Sequence, residues 1–149
     1  MPRDQEAAPK AAPVKTILVV EDDAAIAEFL SLAIAQETSY HSLVVADGLE
    51  ALRVMQHIKP SLLMIDYRLP HMNGIELYDL LQKTPEYEVL PTIIFSASLE
   101  KLEDEMKVRH LVGLRKPLEL TDLLQAIEQV FAARAEVHLE PGRTASDGH

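Results

Sequence analysis

The 149-residue chain contains no cysteine and no tryptophan. Without cysteine there is no disulfide framework, no thiolate zinc site and no thiol nucleophile, a composition that suits a reducing compartment such as the cytoplasm. Positive charge is scarce: 14 Lys and Arg stand against 24 Asp and Glu, for a net charge of −10. A surface of that sign repels a phosphate backbone, which argues against direct nucleic-acid binding and favours a site that gathers cations. No apolar run approaches the roughly 18 residues needed to span a bilayer, so no membrane insertion is expected. The opening MPRDQEAAPKAAPVK lacks an apolar core and carries Asp4 and Glu6, so it does not read as a secretory leader. Aromatic residues make up only 5%, and none lies between Phe95 and Phe131. The six histidines are scattered without ligand spacing, which gives no basis for a transition-metal site.

What is present is enough for one core. Hydrophobic residues make up 48% of the chain, which fits a single domain of ordinary size. Residues 1–14, with Pro2, Pro9 and Pro13, read as a disordered tail, and residues 135–149, with Pro141 and Gly142, as a second, flexible one. The domain is expected over 15–134, with no room for an output domain after it. Within it, short apolar runs alternate with helical patterns. The runs are Thr16–Val20, Ser42–Ala46, Ser61–Ile65, Pro91–Phe95 and Leu111–Leu114. They are apolar on both faces, as buried parallel strands are. Helices are predicted over about 24–37 (capped by Asp23), 49–58 (capped by Asp47), 74–83, 99–109 and 120–133. In the last, Leu120, Leu124, Ile127 and Phe131 should form the inward face. Five βα units imply an α/β, doubly wound parallel sheet of flavodoxin-like (βα)5 type, strand order 2-1-3-4-5. Ligands in such sheets sit at the carboxyl ends of the strands.

Those ends carry the polar residues. Glu21, Asp22 and Asp23 follow the first strand, Asp66 the third, Ser96 the fourth and Lys116 the fifth. Crowding Glu21, Asp22 and Asp66 is unfavourable unless a cation joins them. An oxygen-only donor set suits Mg²⁺. Lys116 supplies a positive charge for phosphate oxygens, and Ser96 a hydroxyl donor. A carboxylate facing them can attack phosphorus and form an acyl phosphate.

The segments ILVVEDD, MIDYRLPHMNG, IIFSAS and RKPL, in that order, resemble the four signature segments of the bacterial response-regulator receiver domain. The resemblance covers about Val14 to Ala133. It implies that Asp66 is the phosphoacceptor, that Asp22 binds Mg²⁺ directly and Glu21 through water, and that the backbone carbonyl of Arg68 is a further ligand. Ser96 and Lys116 would hold the phosphoryl oxygens, and the Lys116–Pro117 bond would be cis. The implied partners are a sensor histidine kinase or histidine phosphotransfer protein and a downstream protein target, with a homodimer through the fourth and fifth helices as an option.

One position departs from the pattern. The family usually has an aromatic three residues before the lysine, where it couples to the hydroxyl residue; here that position is Gly113. The interval from Ser96 to Lys116 is also a residue or two short, so a trimmed or displaced fourth helix is expected. Readout would then fall to the loop around Ser98 and the fourth helix, with His110 as another candidate relay. Arg68 and Ser98 are placed to modulate phosphoryl lifetime, while Tyr67 reads as rim packing. Three functions compete: a phosphorelay receiver, a pseudo-receiver whose switch is lost, and a turnover enzyme of the aspartate-nucleophile phosphatase type. The last is disfavoured because Arg68 stands where those enzymes carry a second Asp as general acid.

Overall fold

The computed structural model describes residues 15–87 and 90–147, with side chains described up to residue 133. The expected tail over 1–14 lies outside the described residues. Five strands form one parallel sheet in the order β2-β1-β3-β4-β5, the expected flavodoxin-like arrangement. They are β1 (Thr16–Val20), β2 (His41–Val45), β3 (Leu62–Asp66), β4 (Thr92–Ser96) and β5 (Val112–Arg115). The helices are α1 (Ala24–Glu37), α2 (Gly48–Val54), α3 (Gly74–Gln82), α4 (Glu103–Arg109) and α5 (Leu120–Asp147). Among the described residues, no helix is long and apolar enough to cross a membrane.

The doubly apolar strands feed two cores, one on each face of the sheet. Ile17, Val19, Leu62, Met64, Ile93 and Phe95 point to the face covered by α1 and α5. Leu18, Val20, Leu63, Ile65 and Ile94 point to the face covered by α2, α3 and α4. Alternation along each strand produces this division, and the helices on both faces exclude water from the strands. Each fully buried Leu or Ile contributes about 1.5–3 kcal/mol relative to exposure, so the central strands hold their register firmly.

Helix entries are fixed by the caps. The Asp23 carboxylate accepts from the Ala25 and Ile26 amides at 2.9 and 3.1 Å, and Asp47 accepts from Glu50 at 2.8 Å. Asn73 and Glu76 form a reciprocal capping box at the start of α3.

The fourth helix is trimmed relative to 99–109, as the short interval from Ser96 to Lys116 implied, and the terminal helix runs past its expected end. In place of one helix over 99–109, a 3₁₀ turn (Leu99–Leu102) leads into a seven-residue α4. A 3₁₀ turn rises about 2.0 Å per residue against 1.5 Å for an α-helix, so it lets a short connection cover the distance from β4 to β5. The buried face of α5 is Leu123, Ala126, Ile127 and Val130, whereas Leu120 remains 39% exposed. The sequence contains two overlapping stripes, and the one with the small Ala126 is the one buried in the core. The backbone of α5 continues to Asp147, so the tail expected over 135–149 is helical as far as that residue. Beyond the last core contacts, the helix-favouring Ala132, Ala133 and Ala135 carry it onward.

Candidate functional site

The carboxyl ends of β1, β3, β4 and β5 are stitched into one rim. Val20 pairs with Ile65, Asp66 with Phe95, and Ser96 with Arg115. Just beyond these pairs the Glu21 amide donates to the Val45 carbonyl (2.9 Å), Tyr67 to Phe95 (2.8 Å) and Lys116 to Ser96 (3.0 Å). The acceptor candidate is held from behind as well. The Gly74 amide donates to the Tyr67 carbonyl at 2.8 Å, and a Cβ on Gly74 would stand 2.7 Å from the Asp66 carbonyl oxygen. Only glycine lets α3 begin this close to the strand that presents Asp66.

Glu21, Asp66 and Ser96 are buried, whereas Asp22 is exposed. Carboxylate oxygens of Glu21, Asp22 and Asp66 nevertheless all lie within 4.8 Å of one another. Lys116 Nζ reaches Asp66 Oδ1 at 2.9 Å and Glu21 Oε1 at 3.5 Å, and lies 5.8 Å from the centroid of the buried Phe95 ring. Burial acts against the ammonium charge. The hydrogen bond to Asp66 and the charges of Asp66 and Glu21 outweigh it, so the Lys116 pKa lies above that of an ordinary amine.

Glu21 is the strained partner. Burial, with Asp66 and Asp22 adding repulsion, raises its pKa to about 7, although the Asp23 amide and Lys116 pull the other way. Its Oε2 accepts from the Asp23 amide at 3.0 Å, but its buried Oε1 has no hydrogen-bond partner. Three acids around one ammonium, with a buried carboxylate oxygen left unsatisfied, form an all-oxygen donor set short of positive charge. That fits a hard divalent cation such as Mg²⁺.

In front of Asp66 opens a cavity of about 320 Å³. Ser96, Ser98, Arg68 and Lys116 line it, and Tyr67 lies on its wall. The Ser96 hydroxyl oxygen accepts from the Ser98 amide at 3.0 Å, which leaves its proton free to donate into the cavity. Gly113 and His110 are not part of this lining. Gly113 borders a neighbouring groove, and His110 ends α4 in a left-handed conformation with φ 57°. The cavity also includes Lys101 and Glu105, which the sequence did not single out. The signal that could have flagged Lys101 was its spacing: it lies five residues after Ser96, on the turn that leaves the strand end. The Lys116–Pro117 peptide is cis, as expected.

Comparison with known proteins fits this arrangement. The family model described as the response regulator receiver domain matches residues 17–128. The DNA-binding response regulator MtrA of Mycobacterium tuberculosis is 39% identical over 66 residues, covering 44% of this chain and 28% of that relative. The matched region thus spans less than a third of MtrA. A 14.6 kDa protein of Leptolyngbya boryana is 29% identical over 119 residues, covering 78% of this chain and 90% of that one. Among solved structures, the chemotaxis response regulator CheY4 of Vibrio cholerae superposes with a TM-score of 0.71 at 26% identity, covering 79% of this chain and 99% of that one. A Francisella response-regulator receiver domain gives 0.69 at 27% identity, covering 80% and 98%. The chain belongs to the response-regulator receiver family of two-component signalling.

Proposed function

We propose that this receiver acts in the cytoplasm and accepts a phosphoryl group on Asp66 from a sensor histidine kinase or histidine phosphotransfer protein. The reaction is Mg²⁺-dependent, and the phosphorylated domain signals by contact with a downstream protein. The observation that carries the reading is Lys116 Nζ at 2.9 Å from Asp66 Oδ1, on the cavity that Ser96 also lines.

A carboxylate oxygen of Asp66 attacks phosphorus. The bond to the donor nitrogen breaks, its electron pair and a proton go to the donor imidazole, and an acyl phosphate remains. Lys116, ion-paired with Asp66 at rest, turns its charge to the new phosphoryl oxygens. Ser96 donates its free proton to another of them. Glu21, Asp22, Asp66 and the backbone carbonyl of Arg68 would hold Mg²⁺, which when bound neutralises charge on the transferring group. Arg68 and Ser98 border the path by which water reaches the acyl phosphate, so they modulate its lifetime. Hydrolysis there makes the chain a self-limiting acceptor, not an enzyme that turns over external substrates.

The test is intact-mass spectrometry after incubation with Mg²⁺ and a small acyl-phosphate donor. A mass gain of one phosphoryl group that disappears with chelator is expected. No gain in the presence of Mg²⁺ would contradict the reading.

Gly113 favours one second reading, a pseudo-receiver that keeps the pocket and has lost the switch. It predicts that beryllofluoride with Mg²⁺ perturbs amide resonances of the pocket and none beyond it.

A further inference from the structure

The space over Gly113 is already occupied. A Cβ built there would meet Leu99 Cδ1 at 2.8 Å, Leu99 Cδ2 at 3.0 Å and Met106 Cε at 3.0 Å. Leu99 therefore sits where a side chain at position 113 would otherwise point. It does not come from β5; it opens the 3₁₀ turn that comes after Ser96.

That turn faces two ways. Ser98 and Lys101 line the cavity in front of Asp66, whereas Leu99 and Glu100 line the groove of about 430 Å³ beside Gly113. Its ties to the phosphoryl pocket are direct. The Ser98 amide donates to Ser96 Oγ at 3.0 Å, and the Lys101 amide donates to the Ser98 carbonyl at 3.0 Å. Its tie to β5 is weak by comparison: the Glu100–Arg115 ion pair is short, at 2.7 Å, but both side chains are 58% exposed, so solvent screens it. The contacts on Gly113 are made by the ends of flexible side chains, which can leave without moving backbone.

We propose that the turn Leu99–Leu102 reads the phosphoryl group in place of the absent aromatic, with Leu99 as the plug over Gly113 and Lys101 as the charge drawn to the pocket. This deepens the phosphoacceptor reading and rests on it. When Ser96 Oγ shifts to donate to a phosphoryl oxygen, it carries the Ser98 amide with it, because the oxygen accepts from that amide while its proton points outward. The added negative charge attracts Lys101 across the same cavity. Both displacements act on one four-residue turn. They withdraw Leu99 from Gly113, so the groove beside β5 changes shape with phosphorylation.

The test uses the full chain with beryllofluoride and Mg²⁺, with ¹⁹F resonances reporting occupancy and ¹³C-labelled leucine methyls reporting the plug. At full occupancy the Leu99 methyls and the Gly113 amide are expected to shift, while the methyls of Leu30, on the buried face of α1, stay in place. In Lys101→Ala the Leu99 shift should shrink at equal ¹⁹F occupancy. Full occupancy with unmoved Leu99 methyls would overturn the plug and leave the phosphoacceptor reading intact. An undiminished Leu99 shift in Lys101→Ala would overturn the part assigned to Lys101. Failure of beryllofluoride to bind at any concentration would overturn the phosphoacceptor reading and the plug with it.

Discussion

The two halves of the rim are built differently. On the β1–β3 side, Glu21 and Asp66 stand at the ends of strands buried at every residue but Thr16, and Gly74 clamps the Asp66 backbone from behind. On the β4–β5 side, Ser96 also leaves a buried strand, but it runs into a 3₁₀ turn, a seven-residue helix and surface ion pairs. The first half is rigid and holds like charges together at an energetic cost. The second half is held by contacts that cost little to break. Chemistry belongs on the first kind of support and readout on the second.

That contrast predicts a descending series of effects. The largest is on phosphoryl uptake: Asp66→Asn should abolish the mass gain altogether while circular dichroism stays native. Lys116→Met comes next. Removing the only ammonium within ion-pair distance of Asp66 among the described residues should slow phosphorylation by about 10²-fold or more in rapid-quench mass assays. An unchanged rate would assign the charge compensation elsewhere.

The third effect tests whether the acidic half is strained. Glu21 has its pKa raised from 4.5 to about 7, so between those values the folded chain binds more protons than the unfolded one. Stability of the metal-free chain should therefore fall as pH rises from 4.5 to 7, by a contribution on the order of 3 kcal/mol from this group. Urea melts in chelator should show that slope in the wild type and its loss in Glu21→Gln. Added Mg²⁺ should restore wild-type stability at pH 8, by about 2.7 kcal/mol at a hundredfold excess over Kd. The smallest effect belongs to the other half. Arg109 holds Asp79 through two 2.8 Å hydrogen bonds that join α4 to α3, and the pairing keeps the Asp79 carboxyl below its ordinary pKa. Asp79 is solvent-exposed and Arg109 only half-buried, so Asp79→Asn should cost less than about 1 kcal/mol above pH 4, and that contribution should fade as pH falls through the lowered pKa.

The same contrast explains what could be read from sequence. The strands of the first half announce themselves, because a run such as LLMI is apolar at every position and is followed by an acid. Asp23 and Asp47 mark helix starts by residue type alone, and both of them cap. Strand order came from five alternating units and the handedness of their crossovers. On the β4–β5 side the strands, Ser96 and Lys116 were legible too, but the connection between them only as a departure: Gly113 and a short interval. Nothing in LEKLEDEMKVR says that its first four residues tighten into a 3₁₀ turn, since that depends on the distance from β4 to β5. Nor does it say that Leu99 fills the space above Gly113 or that Lys101 faces the cavity, because both result from that tightening. On α5 two stripes share Ile127, and only packing against the sheet chooses the one through Leu123 and Val130.

The most direct measurement is the position of the phosphoryl group. The chain is phosphorylated with Mg²⁺ and an acyl-phosphate donor, reduced with borohydride so that an acyl phosphate on aspartate becomes homoserine, digested and sequenced by mass spectrometry. Homoserine at position 66, and at no other aspartate, is the predicted result. Phosphate retained on a serine or histidine, or homoserine at position 22 in place of 66, would contradict it.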